Sequence, residues 1–178
     1  MTCISKSSAC RSNEFIIPSI RETGAYLPDV LIDTDFELLF PDEYINSISE
    51  RLILYNELSN IKNEEQLLKF EQKLIDRFGA LPKEAIALLN SVRIKWKAMQ
   101  LGIERMILKQ GKMIGYFIGD QQSNYYQTSH FHKVLKFVQL NGNLCKMKEK
   151  ETKNGLRLLL TFENVKSITK ALELIEKI

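Results

Sequence analysis

A helix stop followed by a helix restart, at residues 71–82, constrains the fold of this chain more than any other segment. Its apolar residues recur at helical spacing and are predicted to face a core: Leu74, Ile75 and Phe78. Asp76 and Arg77 fall on the opposite side, toward water or a partner. Gly79 is typical of the left-handed residue just past a helix end, and Pro82 is typical of a helix start, where no backbone N–H is needed. The segment predicts a helical region around it and a different structure further along the chain.

One strand and one helix are predicted before this segment. Residues 30–39 alternate between apolar and mostly acidic side chains, which is the two-residue period of a half-buried strand. The helix is predicted to begin at Pro41, with Asp42 and Glu43 complementing the positive end of its dipole, and to run to about Asn60. Its inward stripe is expected to comprise Ile45, Ile48, Leu52, Leu54, Tyr55 and Leu58.

Two further helices complete a predicted three-helix unit with short loops. The second begins at Asn63, whose side chain can cap it, and Gln66 completes a capping box. Its buried row is expected to be Leu67, Phe70, Leu74 and Phe78. The third helix runs from about Lys83 to Leu101. Its inward residues are expected to be Ala85, Leu89, Val92, Trp96 and Met99.

The chain after Gly102 changes to the period of strands. Four predicted strands pair in two hairpins: residues 105–109, 113–118, 144–150 and 156–162. The second hairpin turns through Asn154-Gly155, a strong turn signal. A helix starts near Thr128 between the hairpins, and a last helix is predicted to be capped by Asn164.

These elements predict an α+β fold. An N-terminal strand and a three-helix unit precede a small ββαββα sheet with helices packed on one face. Residues 1–28, rich in Ser and other polar residues, are interpreted as a linker or disordered tail. Residues 29–178 are interpreted as one domain, with a helical part at 29–102 and a sheet-plus-helix part at 103–178.

Charge and cysteine content narrow the class of protein only slightly. The 178 residues include 25 Lys and Arg against 22 Asp and Glu, and this net charge of +3 is too small to indicate a nucleic-acid partner by itself. Cys3, Cys10 and Cys145 form no Cys-x-x-Cys pair, so the sequence predicts neither a disulfide framework nor a zinc site, and unpaired thiols favour the cytoplasm. No membrane span and no signal peptide are predicted.

No arrangement of residues predicts catalysis. The chain has no Gly-x-x-x-x-Gly-Lys-Ser/Thr loop to hold phosphates and no Gly-x-Ser-x-Gly elbow. His130 and His132 are two residues apart on a predicted helix and would face different sides. Cys145 is expected to be a plain buried or edge thiol. We therefore expect a domain that is not an enzyme and that holds no metal or cofactor.

Several short motifs follow one another in a set order. They are Phe40-Pro41-Asp42-Glu43-Tyr44-Ile45, Glu50-Arg51-Leu52 with Tyr55, Asp76-Arg77-Phe78-Gly79 with Pro82, Leu101-Gly102 and Tyr125-Tyr126-Gln127. Together they resemble the C-terminal domain of the bacterial transcription-repair coupling factors, the Mfd or TRCF family. The resemblance runs from about Val30 to the end of the chain, and it depends on the order and spacing of the motifs rather than on any one of them.

That resemblance implies a non-catalytic regulatory domain of a large ATP-dependent DNA translocase that acts in transcription-coupled excision repair. In the family, this domain packs on the UvrA-binding domain of the same protein and masks it until RNA polymerase is engaged. UvrA and RNA polymerase are then indirect partners, and no DNA contact by the domain itself is implied. The motor motifs of the translocase are absent from this sequence.

The resemblance also places Asp76 and Arg77 in the surface that contacts the UvrA-binding domain. One turn earlier, at a position that can be acidic in the family, this chain has Lys73, which weakens the case for the same ion pairs. From the residues alone, a partner-binding role for Arg77 and a structural role are equally favoured; in the structural role Arg77 caps the helix carbonyls or pairs with a nearby acid.

A second interpretation is a small nucleic-acid-binding accessory domain. Lys146, Lys148 and Lys150 alternate on one face of a predicted strand, with Arg157 nearby, and this suits a phosphate-binding ribbon. The same lysines also suit a protected edge strand, because charge on an edge discourages aggregation.

Overall fold

Five strands and five α-helices occur in the part of the chain that the computed structural model describes, namely Leu27, residues 29–152 and residues 155–178. The strands are β1 (Leu31–Thr34), β2 (Ile103–Lys109), β3 (Lys112–Phe117), β4 (Cys145–Thr152) and β5 (Gly155–Glu163). The helices are α1 (Ile48–Ser59), α2 (Glu64–Phe78), α3 (Lys83–Gln100), α4 (Ser129–Leu140) and α5 (Ile168–Ile175). The predicted tail at 1–28 lies outside the described residues, apart from Leu27.

The five strands form one mixed sheet in the order β1-β2-β3-β5-β4. β1 pairs in parallel with β2, with Leu31 opposite Arg105, and the other neighbouring strands are antiparallel. The sequence grouped the N-terminal strand with the helices. It is instead an edge strand of the sheet, because Ile32 packs against the sheet's apolar core. The predicted fold class and both predicted hairpins are confirmed.

Two apolar cores share helix α3. The helical core lies between α1, α2 and α3 and includes Leu54, Leu67 and Leu89. The sheet core covers one face of the sheet with α3, α4 and α5, where Ile94 and Ala98 of α3 are fully buried. Because α3 contributes to both cores, the helical part and the sheet part form one continuous structure.

A polar network on α3 joins neighbouring helices. Arg93 donates to Glu64 (2.8 Å) and Glu71 (3.3 Å) of α2 and to Asn90 of its own helix. Asn90 is buried and in turn donates to Thr169 of α5 (3.4 Å). Burial acts to lower the pKa of Arg93, but the two carboxylates overcome it and the pKa is raised. The Arg93 guanidinium therefore stays charged while it ties α2 to α3.

The first helix differs from its prediction in both its start and its buried face. Ser47 caps α1. Pro41 instead begins a separate single turn, in which the Pro41 carbonyl accepts from the backbone N–H groups of Tyr44 and Ile45. Leu54 and Leu58 face the helical core, whereas Ile48 and Leu52 are exposed. The predicted inward stripe is therefore confirmed at Ile45, Leu54, Tyr55 and Leu58. It was wrong at Ile48 and Leu52, because α1 has apolar residues on most of its sides and its sequence period does not select one.

Three smaller predictions at helix ends are corrected. Ile75 is more exposed than buried residues of α2 such as Leu74, so it does not face the core. Gly79 has the expected positive φ (+86°), but its ψ of −161° is extended rather than left-handed helical. Asn164 does not cap the last helix. It takes a positive φ so that the Val165 N–H can donate to the Gly111 carbonyl, and Ser167 caps α5 instead.

Gly102 is required at the junction of α3 and β2. Its φ is +68°, and a Cβ there would lie 2.6 Å from the ring of buried Tyr125. The Tyr125 hydroxyl donates to the Leu101 carbonyl, which holds the ring in that place. Two of the motifs that carry the family resemblance thus meet at this junction.

We predict that Gly102→Ala destabilises the domain far more than Gly111→Ala. Gly111 has a similar φ of +71° but open space around its Cβ position, so its substitution should cost about 1–2 kcal/mol from the backbone alone. The clash with Tyr125 should add about 1–3 kcal/mol at Gly102. Urea denaturation of the two variants measures the difference, and equal losses would show that Tyr125 moves aside without cost.

Candidate functional site

The exposed end of α2 is built by residues from three of the sequence motifs. The Tyr44 hydroxyl lies 3.2 Å from the carbonyl oxygen of Leu74, near the end of α2, and 3.1 Å from that of Gly79, just past the helix. Its single proton is shared between these two acceptors. Its ring packs on Phe78 with 5.7 Å between centroids. Burial raises the pKa of Tyr44, so the hydroxyl remains a donor. Tyr44 therefore fixes the direction in which α2 ends.

The neighbouring motif residues hold α1 against the same corner. The Phe40 N–H donates to the Tyr55 hydroxyl oxygen (2.8 Å), and the two rings lie 5.0 Å apart. Arg51 forms an ion pair with Asp42. The first motif therefore lies in the turn before α1 and contacts both α1 and the end of α2, and this requires the motifs to have the spacing seen in the sequence.

The three residues predicted to bind a partner lie on this corner, but two of them are already paired. Arg77 forms an ion pair with Glu50 of α1, and Lys73 bonds both carboxylate oxygens of Glu57, at 2.9 and 2.6 Å. Asp76 accepts from Gln72 (2.8 Å) and is exposed. Of the alternatives open for Arg77, pairing with a nearby acid is realised. The sequence did not identify Glu50 and Glu57 as the acids, since both belong to another helix.

An apolar surface continues from these ion pairs over the outer side of α1. Ile48, Leu52 and Ile53 are 68%, 58% and 64% exposed. Ile53 is three residues after Glu50 and four before Glu57, so it lies beside both ion pairs. This surface was not predicted, because the spacing of Ile48 and Leu52 assigns them to the inward stripe of α1. The available signal was an apolar pattern too broad for one buried face.

The residues predicted to bind nucleic acid lie on the sheet, in strands β4 and β5. Lys146, Lys148 and Lys150, called the lysine row below, alternate along β4, an edge strand, on the face opposite helices α3–α5. Arg157 lies opposite Lys150 on β5, but it is only 19% exposed and forms an ion pair with Glu104. The structure therefore brings the three lysines together and gives Arg157 a partner inside the domain.

The face of the sheet that is not covered by helices is called the open face below. It carries more positively charged residues than the sequence of the second hairpin predicted. Strand register places Arg105, Lys109 and Lys112 on it, although they come from the other hairpin. Four apolar side chains form its centre: Ile107, Ile114, Tyr116 and Leu159. Leu159 is buried yet belongs to neither core. No sequence pattern signalled this grouping, because it depends on which strands pair.

The thiol and imidazole groups are not arranged as a site. Across residues 29–152 and 155–178, no three His, Cys, Asp or Glu side chains lie close enough together to hold a metal ion. Cys145 is buried at the start of β4, and burial raises the pKa of its thiol. The His132 ring nitrogen Nδ1 lies 2.8 Å from the Thr128 carbonyl. Within the described part of the chain, no helix is long and apolar enough to cross a membrane.

We predict that Cys145 reacts slowly with alkylating agents in the folded domain. A raised pKa lowers the thiolate fraction, and the thiolate is the reacting form. In a Cys3→Ser/Cys10→Ser variant, where Cys145 is the one thiol left, iodoacetamide at about pH 8 should react more than about tenfold slower than in urea. Equal rates in buffer and urea would contradict the burial of this thiol.

Comparison with known proteins identifies the family. The model of the TRCF domain family matches residues 34–128, just over half of the chain. The transcription-repair-coupling factor of Staphylococcus epidermidis is 30% identical over 150 residues, which cover 79% of this chain and 13% of the relative. That of Rickettsia typhi is 31% identical over 131 residues, with 73% and 11% covered. That of Escherichia coli K12 is 38% identical over 68 residues, with 38% and 6% covered.

The fold agrees with a solved structure from the same family. A crystal structure of the C-terminal domain of transcription-repair coupling factor superposes with a TM-score of 0.61 at 20% identity, covering 83% of this chain and 88% of that one. The chain spans only about an eighth of the length of the curated relatives it matches. From the matched family model, the order of the motifs and the shared fold, we conclude that the chain belongs to the TRCF domain family and is a C-terminal domain of a transcription-repair coupling factor.

Proposed function

We propose that this domain regulates a transcription-repair coupling factor by docking on its UvrA-binding domain. Docking masks the surface that recruits UvrA, and engagement of RNA polymerase by the factor undocks the domain and exposes that surface. These events are proposed to occur in the cytoplasm. The observation that carries this proposal is the corner formed by α1 and the end of α2. There, the residues that the family resemblance assigns to the contact are exposed at the rim of an apolar surface.

Arg77 is the residue best suited to contact the partner. Its guanidinium has five N–H donors, and a single hydrogen bond to Glu50, from Nη2, is formed within the described part of the domain. Arg77 is 49% exposed and its guanidinium carbon lies 5.0 Å from the centre of the Phe78 ring, which limits its orientations. It can therefore keep Glu50 and bind an acidic group of the partner with its remaining donors.

Lys73 and Asp76 have supporting roles in the proposal. Lys73 is held by both oxygens of Glu57, so it fixes α1 to α2 and is not expected to replace the acid that the family can carry there. Asp76 is exposed beside Arg77 and offers a carboxylate to a basic group of the partner. Exposed ion pairs contribute only about 0.2–1 kcal/mol each, so such a contact can be released by a competing partner.

The apolar outer side of α1 adds area to the same docking surface. Ile48, Leu52 and Ile53 are separated only by uncharged polar positions such as Ser49 and Asn56. Their burial would supply affinity that the ion pairs do not, since apolar area contributes roughly 25 cal/mol per Å² removed from water. The docking surface that we propose is therefore partly polar and partly apolar.

The proposal is tested by calorimetric titration of this chain against the separately expressed UvrA-binding domain of the same factor, followed by addition of UvrA. Binding that UvrA displaces is the expected result. A covalent link raises the effective concentration of one domain near the other, so the titration is repeated as UvrA capture by the two domains fused. If the fusion and the isolated UvrA-binding domain capture equal amounts of UvrA, masking is contradicted.

We predict that Arg77→Glu weakens docking about three- to tenfold, because it removes one attraction and places a repulsion against the same partner acid. The matched control is the exchange Glu50→Arg/Arg77→Glu, which restores the ion pair inside the domain. Thermal unfolding should show that the exchange recovers stability, while docking stays weak. If docking recovers together with stability, Arg77 acts only inside this domain and the proposed contact is wrong.

A further inference from the structure

The open face of the sheet has a concentration of positive charge that the helical part lacks. Besides the lysine row, it carries Arg105, Lys109, Lys112 and Arg157, which makes seven cations against the carboxylates of Asp33, Glu104 and Glu163. The whole chain has a net charge of only +3. The cations are therefore gathered on one surface rather than spread evenly over the domain.

This charge is only partly neutralised, because three carboxylates face seven cations. Asp33 bonds Lys109 (2.6 Å) and lies 3.6 Å from Arg105, while Glu163 reaches only to 3.8 Å from Lys146. Glu104 is taken by Arg157. Lys112, Lys148 and Lys150 have no carboxylate within ion-pair distance among the described residues. A surface with this charge is complementary to a polyanion.

The lysine row runs along the edge strand β4 toward a cavity at the end of that strand. Residues two apart on a strand are separated by about 7 Å, so the row presents one ammonium group at each such step along β4. The next residue on the same face, Thr152, lines a cavity of about 300 Å³. Its other lining residues are Leu31, Glu104, Arg105, Tyr116 and Arg157.

The cavity is suited to a planar, polar ring. Tyr116 supplies an aromatic surface on which a base can stack. Thr152, Glu104 and the half-exposed Arg105 supply hydrogen-bonding groups around it. Its volume is at the small end of the range for ligand pockets, which is about 300–1,000 Å³. A small inorganic anion would use the charges alone, whereas Leu31 and Tyr116 add apolar surface against which a ring can pack.

We propose that the open face binds single-stranded nucleic acid, with phosphates along the lysine row and one unpaired base in the cavity against Tyr116. Double-stranded nucleic acid offers its phosphates but keeps its bases stacked inside, so it can use the lysine row and not the cavity. An acidic protein segment likewise offers charge without a stacking ring. The surface shares no residue with the α1–α2 corner, so this inference is independent of the proposed docking.

The test uses the whole 178-residue chain and a fluorescein-labelled oligo-dT of about 20 nucleotides, followed by fluorescence anisotropy. We expect binding at about 50 mM salt that weakens strongly by about 200 mM, because each phosphate contact releases counterions. The competitors are a duplex of the same length and poly-L-glutamate. Both should displace the oligo-dT less well than unlabelled oligo-dT does.

Charge reversal locates the contact. The variant Lys146→Glu/Lys148→Glu/Lys150→Glu should bind oligo-dT more than about tenfold more weakly. The matched control, Lys62→Glu/Lys83→Glu/Lys97→Glu, changes the net charge equally at exposed positions of the helical part and should retain most of the affinity. Urea denaturation of both variants establishes that they are folded. Equal losses in the two variants would overturn the proposal, because they would reflect net charge alone.

Substitution of Tyr116 tests the base. Tyr116→Leu keeps an apolar side chain but removes the ring and should weaken binding about fivefold or more, whereas Tyr116→Phe should bind as the parent does. The proposal is overturned if oligo-dT does not bind at low salt, or if Tyr116→Leu binds as well as Tyr116→Phe. It is also overturned if poly-L-glutamate competes as well as oligo-dT, since that outcome identifies an acidic protein as the better partner.

Discussion

The burial of α3 in two cores at once is the constraint on which the rest of the domain depends. Leu89 on its N-terminal half packs with α1 and α2, while Ile94 and Ala98 on its C-terminal half pack against the sheet and α5. A single helix of 18 residues is long enough to serve both, at about 1.5 Å per residue. The Arg93–Glu64 ion pair and the Asn90–Thr169 hydrogen bond then fix the rotation of α3 against its neighbours. The helical corner and the sheet consequently form one structure with two separate exposed surfaces.

The motifs that carry the family resemblance have a structural meaning before they have a functional one. Tyr44 shares its hydroxyl proton between carbonyls near and just past the end of α2, Arg51 pairs with Asp42, and Gly102 leaves room for the Tyr125 ring. A resemblance in such residues is therefore sound grounds for assigning the fold. It is weaker grounds for assigning a contact, since Lys73 and Arg77 already have partners within the domain. Of the charged groups at this corner, Arg77 keeps the donors that it does not use on Glu50, and Asp76 keeps an exposed carboxylate.

Sequence patterns succeeded where one side of an element differs clearly from the other. In α2, the alternation of Leu67, Phe70 and Leu74 with charged residues left one possible buried face, and the Asn63–Gln66 cap marked its start. In α1 the pattern was right only in part, because Ile48, Leu52 and Ile53 are as apolar as Leu54 and Leu58. The buried face of α1 is the side that packs against α2 and α3. The residues of α1 alone do not identify that side.

The amino-acid sequence by itself determined the fold class, the order of most of the elements, both hairpins and the family, because each of these depends on local periodicity, turn residues and motif spacing. It also placed Lys73, Asp76 and Arg77 near the end of one helix, and the three lysines on one side of one strand. Only the tertiary structure decided that Glu57 and Glu50 pair with the two cations of the first group, and that Arg105, Lys109 and Lys112 extend the second group. The physical reason is the same in both cases: these neighbours lie far apart along the chain, and only helix packing and strand register bring them together.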